Sequence, residues 1–515
     1  MTVPHILSWI LLSPLAALSI IFWMPSNNVP LIRRIANIGV GLPFLLSLWV
    51  FFNYDYTSGG FQFEEQIPWV VPLGISYHLG IDGINGVMIL LLGFGSFAGV
   101  LVSQNIQERV KRYYILLLLI VIGTYGAFLS VDIFFFYFFH EVAAIPTFLL
   151  IALWGSDRRE YAAMKLTLYL TAGATLALVG LLSLYHAVGL ESFDLIQIQK
   201  YLVGHPLPVE VQHWIFPLIV VGFGVTLTLW PFYTWAPVGY ACAPTAVSML
   251  HAGVLKKLGA YAILRFAVQL MPDAAETWMP IVATLAVFNI LYCGLIALIQ
   301  RDLKYILGYS SCSHMGYILL GLACLNVIGL NGVVFLMFAH GIMACLGFAL
   351  TGFLAEQTQT RHLDELGGLL KRLPFIGTCF AMMALASAGV PGFGNFVAEI
   401  MVLLGAWDHY RWQTVAAVLG IVFTAVYMLK AIRLGFQGPI QPRWTQLTDV
   451  QTFSEKLPYI VLLTALIAAG CFPSLILKRI ESGTKPNFKN TLNEVSFAKQ
   501  EPNKADRPMS MASIR

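Results

Sequence analysis

The chain has 515 residues, 58% of them hydrophobic and only 11% charged. Soluble domains carry about 25% charged residues, so this is a polytopic membrane protein, and its formal net charge of +4 is no argument for nucleic acid. The seven scattered cysteines form no CxxC or Cys/His cluster, and no GxGxxG or Walker motif is present; a disulfide framework, an iron–sulfur or zinc site, hydride transfer and ATP hydrolysis on this chain are excluded as expectations.

A bilayer core of ~30 Å needs about 20 apolar residues per helix. Fourteen such stretches occur, near 4–24, 31–53, 80–103, 112–129, 131–154, 165–188, 212–235, 244–268, 277–299, 303–324, 327–355, 373–405, 411–435 and 457–477. The first has no basic residue before it and reads as a retained span, not a signal peptide. No strand alternation stands out, so the expected fold is an all-α bundle and not a barrel. The loops opposite the termini hold most of the Lys and Arg, from Arg33 and Arg34 through Arg361 to Lys456. That bias puts the basic loops in the cytoplasm and both termini outside, although eight Lys/Arg after Leu477 run against it. The polar tail from 478 to 515 reads as disordered.

Two spans look broken. Span seven contains "LTLWPFYTWAP" with Pro231, and span twelve contains "ASAGVPGFGNFVAE" with Gly389, Pro391, Gly392 and Gly394. Interrupted helices five spans apart point to inverted repeats, spans four to eight and nine to thirteen, around an ion site. Proline and glycine are also common in membrane helices for other reasons.

Ionisable residues inside spans are functional candidates by default. They are Glu141 beside His140 in span five, Lys256 and Lys257 in span eight, His314 in span ten, His340 in span eleven, Glu399 in span twelve and Lys430 late in span thirteen. Carboxylates, imidazoles and amines strung through a bilayer suit a proton relay, because each takes and releases a proton. A lone histidine such as His340 can equally bond a neighbouring helix. Lys430 can snorkel to the surface, and Asp132 and Lys304 can be caps or topology signals. Glu141, Lys257 and Glu399 lie too deep for that. Adjacent helix positions differ by about 100°, so Lys256 and Lys257 cannot share one partner face.

Seven ordered motifs then carry a resemblance: "YHLGIDGIN" (77–85), "RREYAAMKLTLY" (158–169), "APTAVSMLHAGVLKKLGAYAILRF" (243–266), "RDLKYILGYSSCSHMGYILLG" (301–321), "GGLLKRLP" (367–374), "LASAGVPGFGNFVAEIMVLLGAW" (385–407) and "AVYMLKAIRLGFQGP" (425–439). From about 70 to 480 the chain resembles the antiporter-like M subunits of respiratory complex I, relatives of multisubunit Na⁺/H⁺ antiporter subunits. The resemblance implies a fourteen-helix proton-channel subunit in the membrane arm of an NADH:quinone oxidoreductase. It implies NADH, flavin, iron–sulfur and quinone sites on other subunits and no cofactor on this one. Partners would be other membrane-arm subunits, neighbouring antiporter-like subunits and lipid, in a bacterial-type inner membrane. The implied divisions are 1–111 (helices one to three), 112–268 and 269–436 (the two repeats), 437–477 (helix fourteen) and the tail. By resemblance, Glu141, Lys257, His314, His340 and Glu399 form the proton pathway, Glu399 at the outer half-channel.

The chain also departs from that pattern. Where the family pairs the span-five glutamate with a lysine on broken helix seven, this chain has Thr226. The motif usually read PFHTWLPDAH stands as "PFYTWAPVGY", with Tyr233, Val238 and Tyr240. Conversely, His140, His251, Lys256 and Lys430 stand where the family usually has aromatic, apolar or, for His251, acidic residues. Two readings follow. In one, the relay is rewired and His140, His251 or Lys256 supplies Glu141 with a positive partner; in the other, the chain is a non-pumping structural or specialised paralogue.

Overall fold

The computed structural model describes residues 4–485. Among these, α1 (Ile6–Trp23) and α2 (Val29–Asn53) precede a hairpin of β1 (Gln62–Val70) and β2 (Ile75–Ile81). Then come α3 (Asn85–Val102), α4 (Val110–Leu129), α5 (Ile133–Trp154), α6 (Arg159–Val188), α7 (Leu195–Gly204), α8 (Val209–Leu227), α9 (Trp235–Cys242), α10 (Thr245–Leu250) and α11 (Lys256–Ala262). The second half holds α12 (Pro272–Ile299), α13 (Leu303–Ala323), α14 (Val327–Thr358), α15 (Pro374–Ser387), α16 (Gly394–Trp407), α17 (Arg411–Phe436) and α18 (Phe453–Cys471). Wider π-helical turns at His251–Leu255 and Ile263–Val268 join α10 and α11 into one rod.

Among the described residues, eleven helices are long and apolar enough to cross a membrane. They coincide with eleven of the fourteen predicted stretches. The other three stretches fall on the rod from 245 to 268, on α13 with its polar run Ser310–His314, and on α15 with α16. The bundle is arranged round α14, whose most apolar stretch is wholly buried. By contrast α1, α6, α12 and α17 turn Trp9, Leu168, Ile281 and Val422 outward, as lipid-facing helices do. Helix starts are marked by short polar side chains. Asp132 accepts from the amides of Phe134 and Phe135 at α5, Asp302 caps α13, Asn326 caps α14, and Thr452 with Glu455 forms a capping box at α18. Each satisfies donors that the first turn leaves free.

Both broken spans are real, and each break is held by a side chain from another helix. After α8, Thr228 adopts a left-handed conformation with φ 70°. Asn289 of α12 accepts from Trp230 N at 2.7 Å and donates to Thr228 O at 2.7 Å, while Trp235 Nε1 donates to Val225 O at 3.1 Å. Between α15 and α16, Gly389 and Gly392 carry φ of 69° and 101°, conformations that cost a residue with a Cβ about 1–2 kcal/mol.

Three expectations need correction. The all-α reading missed the hairpin at 62–81, and the third helix starts at Asn85 and not near 80. The period-two signal was present in Ile75, Tyr77, Leu79 and Ile81, but it runs straight into the following apolar span. The hairpin bend needs Gly74, whose φ is 64° and whose Cβ would fall 1.9 Å from Glu191 O. Secondly, α7, a short helix capped by Asp194, was not anticipated, since ten residues are too few to register as a span. Thirdly, the tail does not begin disordered: residues 474–485 are helical, with Ile480 and Thr484 fully buried. The rest of the tail, 486–515, lies outside the described residues. Arg265, inside span eight yet absent from the predicted set of buried charges, is fully buried and pairs with Asp82 at the end of β2 at 2.5 Å. An ion pair so placed loses several kcal/mol if one partner is removed.

The hairpin is locked to α7 by His78, whose Nδ1 lies 2.6 Å from Asp194 and whose Nε2 lies 3.2 Å from Glu64. Burial opposes charge on His78, but Asp194 and then Glu64 outweigh it and raise its pKa above the ordinary 6.5. Burial likewise opposes charge on Asp194, yet the bond from His78 leads the group of interactions that hold it below 3.8. The stabilisation from His78 is complete below 6.5 and lost as pH rises through its raised value; that from Asp194 is complete above 3.8 and lost as pH falls through its lowered value. Amide exchange at residues 75–81 should therefore be slowest between pH 3.8 and 6.5 and accelerate above that window after correction for intrinsic rates. His78→Gln should flatten the alkaline limb; an unchanged profile in that variant would show that another group sets it.

Candidate functional site

Lys257 leaves the rod just after the first π-helical turn, a distortion frequent at functional sites. Its Nζ donates to Ala252 O at 2.6 Å and lies 3.0 Å from His340 Nδ1. The opposite ring nitrogen, His340 Nε2, lies 3.2 Å from Ser311 Oγ, which also accepts from Lys256 Nζ at 3.0 Å. The two lysines thus address the two ends of one Ser311–His340 unit. This is how neighbours about 100° apart on a helix share a site without sharing a face. Both lysines are fully buried, and among the described residues neither has a carboxylate within ion-pair distance.

The His314 ring sits 5.1 Å from the His340 ring, centroid to centroid. Its Nδ1 faces Ser310 O at 2.8 Å, and its Nε2 faces Ser387 O at 3.2 Å and Glu399 Oε1 at 3.5 Å. The Ser387 carbonyl is available because α15 ends there. Both ring nitrogens therefore face acceptors. A neutral imidazole has one N–H and satisfies one of them; the imidazolium satisfies both. Glu399 is buried and closes the line beside the break, where a Cβ on Gly389 would come within 2.8 Å of its Oε2. A run from Lys256 and Lys257 through Ser311, His340 and His314 to Glu399 results. Each side chain in it can accept a proton at one atom and release one; Lys257 to His340 and His314 to Glu399 are separated by 3.0 and 3.5 Å, and the two histidine rings are adjacent without a hydrogen bond between them.

Glu141 stands apart from this line. Its Oε1 lies 3.0 Å from His140 Nδ1, and its side chain is 31% exposed beside a small cavity of about 50 Å³ lined by Leu166, Thr167, Leu170 and Thr171. The neighbour within ion-pair reach is thus His140; Lys256 is engaged with Ser311, and Thr226 sits buried near the end of α8. His251 is buried against Trp235 and Tyr240, with ring centroids 5.2 Å and 5.6 Å away. Lys430 donates to Leu298 O at 2.8 Å near the end of α12, away from the line. Lys304 is buried and bonds Ala243 O at 2.9 Å.

Sequence reasoning missed the hydroxyl groups. Ser311 joins Lys256 to His340, and Ser310 Oγ accepts from Tyr427 Oη at 2.8 Å. The available signal was spacing: Ser310 and Ser311 precede His314 by four and three residues in "YSSCSHMGY", which puts them on its helix face.

Two broken helices and a buried cluster of ionisable side chains inside a multi-span bundle mark a polytopic membrane protein with a polar interior. The chain belongs to the NADH:quinone oxidoreductase/Mrp antiporter transmembrane family, which matches residues 130–424. It is 35% identical over 492 residues to NADH-quinone oxidoreductase subunit M of Pseudomonas aeruginosa, covering 92% of this chain and 95% of that one. It is also 35% identical over 480 residues to NAD(P)H-quinone oxidoreductase chain 4 1 of Synechococcus elongatus, covering 92% and 89%. Its fold is similar to that of a chain in respiratory complex I from Thermus thermophilus with bound NADH, with TM-score 0.86 and 27% identity over 95% of this chain and 99% of that one. A chain of the Mrp complex from a Dietzia species shares the fold, with TM-score 0.80 and 19% identity over 96% and 99%.

The packing of Gly389 against Glu399 is testable. Gly389→Ala should displace the carboxylate, because the new Cβ meets Oε2 at 2.8 Å and the φ of 69° resists relaxation. The infrared carboxyl band of Glu399, identified as the band lost in Glu399→Gln, should shift in Gly389→Ala. An unshifted band would mean that the break does not position Glu399.

Proposed function

We propose that this chain is the M-type antiporter-like subunit in the membrane arm of an NADH:quinone oxidoreductase-type complex, and that it moves protons through Lys257, His340, His314 and Glu399. The observation that carries this is the clustering of those buried residues: Lys257 lies 3.0 Å from His340, the His340 and His314 rings are 5.1 Å apart by centroid, and His314 lies 3.5 Å from Glu399. Electron transfer belongs to partner subunits holding NADH, flavin, iron–sulfur clusters and quinone. His140 and Glu141 form the coupling end on α5. Phe138 and Ile145, exposed on the same helix, suit a neighbouring antiporter-like subunit. The paired breaks support two repeats, 112–268 and 269–436, preceded by 1–111 and followed by helix fourteen. The basic loops face the cytoplasm in a bacterial-type inner membrane, with both termini outside.

Thr226 in place of the family lysine favours the second reading, a non-pumping structural paralogue. The two readings separate in membrane vesicles carrying the assembled complex. Lys257→Ala and Glu399→Gln should each slow proton translocation coupled to NADH oxidation by about 100-fold, with assembly intact. Unchanged translocation in both variants would reject the relay. Translocation rising from zero on Thr226→Lys would favour the structural paralogue.

A further inference from the structure

The rod carries a polar face in its second half. Lys257, Tyr261, Arg265 and Gln269 follow one another at intervals of four, a spacing that sets them along one side of a helix. Lys257 lies in the buried group with His340. Gln269 is partly exposed, at the end of the rod that meets the hairpin through Arg265 and Asp82.

Several atoms on this face find no partner in the protein. Among the described residues, Arg265 Nε and Nη1 and both amide atoms of Gln269 make no hydrogen bond, and all four atoms are buried. Buried polar atoms of native proteins are satisfied by protein or by ordered water. These four therefore mark a hydrated stretch that leads from the hairpin side of the bundle toward Tyr261 and Lys257. A proton wire along it would let protons run back to the relay. A purely structural ion pair would explain the bond between Arg265 and Asp82. It would not explain donors without partners on the face that leads to Lys257.

Arg265 is suited to interrupting such a wire. A guanidinium has only donors and is not deprotonated in a protein, so it neither takes a proton from water nor hands one on. Water beside Nε or Nη1 turns its oxygen toward the group, and the fixed charge repels a hydronium ion. Asp82 offers no way round. Its Oδ2 accepts from Arg265 Nη2, and its Oδ1 accepts from the amides of Ile84 and Asn85 at 2.9 Å and 3.0 Å. The pair is also held in place. Asn85 Nδ2 donates to Gly80 O at 2.8 Å and to Phe128 O at 3.0 Å, and the guanidinium centre lies 5.2 Å from the Tyr261 ring centre and 5.6 Å from that of Phe61. The helical start of the tail closes over this corner: a Cβ on Gly83 would fall 1.7 Å from Arg479 O.

We propose that Arg265, fixed by Asp82, is a barrier that stops protons from returning to Lys257 along the hydrated, hairpin-side face of the rod. This rests on the proton-translocating reading above. Arg265 acts by its place and its charge, and no proton passes through it.

The test is the passive decay of a pH gradient imposed on membrane vesicles that carry the assembled complex, without NADH. Arg265→His puts a group that takes and releases protons where one that cannot now stands, and the leak should rise by about tenfold or more. Arg265→Gln combined with Asp82→Asn removes both charges and keeps hydrogen-bonding side chains. It should also raise the leak, and it carries the test if Arg265→His assembles poorly. Adding Lys257→Ala to either should return the leak toward the wild-type value, because the returning proton loses its receiver. A wild-type leak in the assembled variants overturns the barrier. So does a raised leak that Lys257→Ala leaves unchanged, which is a packing defect and not a path to Lys257. Wild-type NADH-driven translocation in Lys257→Ala alone overturns the relay reading instead.

Discussion

Inside a bilayer, no polar group can fall back on bulk water, so each must find its partner within the chain. That constraint organises this protein. The backbone groups freed at the two helix breaks would be costly if unpaired. One break is closed by Asn289 and Trp235, the other by His314, which takes Ser387 O. The second solution has a functional consequence: the group that repairs the break also reaches Glu399. Helix ending and the contact to Glu399 share one imidazole.

The same constraint shapes the lysine pair. Two buried ammonium groups with no carboxylate at hand must be satisfied by neutral acceptors. Ala252 O and Ser311 Oγ fill that role, with His340 Nδ1 3.0 Å from Lys257. Neutral acceptors satisfy the lysine donors without the opposite charge that a carboxylate would supply. Glu141 contrasts with this. It sits at the bundle edge with His140 as its ion-pair neighbour.

Much of the helical framework was legible because hydrophobic length is a strong signal in a membrane protein. Proline and glycine at 231, 389, 391 and 392 marked the breaks for the same reason: they remove donors or permit left-handed backbone. The hairpin was not legible, since seven apolar-alternating residues merge with a long apolar run behind them. Arg265 escaped notice because it lies near the end of a span, and its partner Asp82 is 183 positions away. The helical start of the tail was hidden by polar composition; Ile480 and Thr484 are buried only because earlier parts of the chain cover them.

The sequence by itself determined that the chain spans a membrane many times and which ionisable residues lie within its apolar stretches. Those properties depend on composition and on one-dimensional spacing. Only the tertiary structure decided how the deep residues divide: Lys257, His340, His314 and Glu399 in one group that Lys256 joins through Ser311, and Glu141 with His140 elsewhere. It also decided that Lys256 turns toward Ser311 and that Tyr240 and His251 face each other. The reason is geometric. A proton moves over about 3 Å, whereas the residues that must come that close lie on different helices, and only helix packing sets the distance between them.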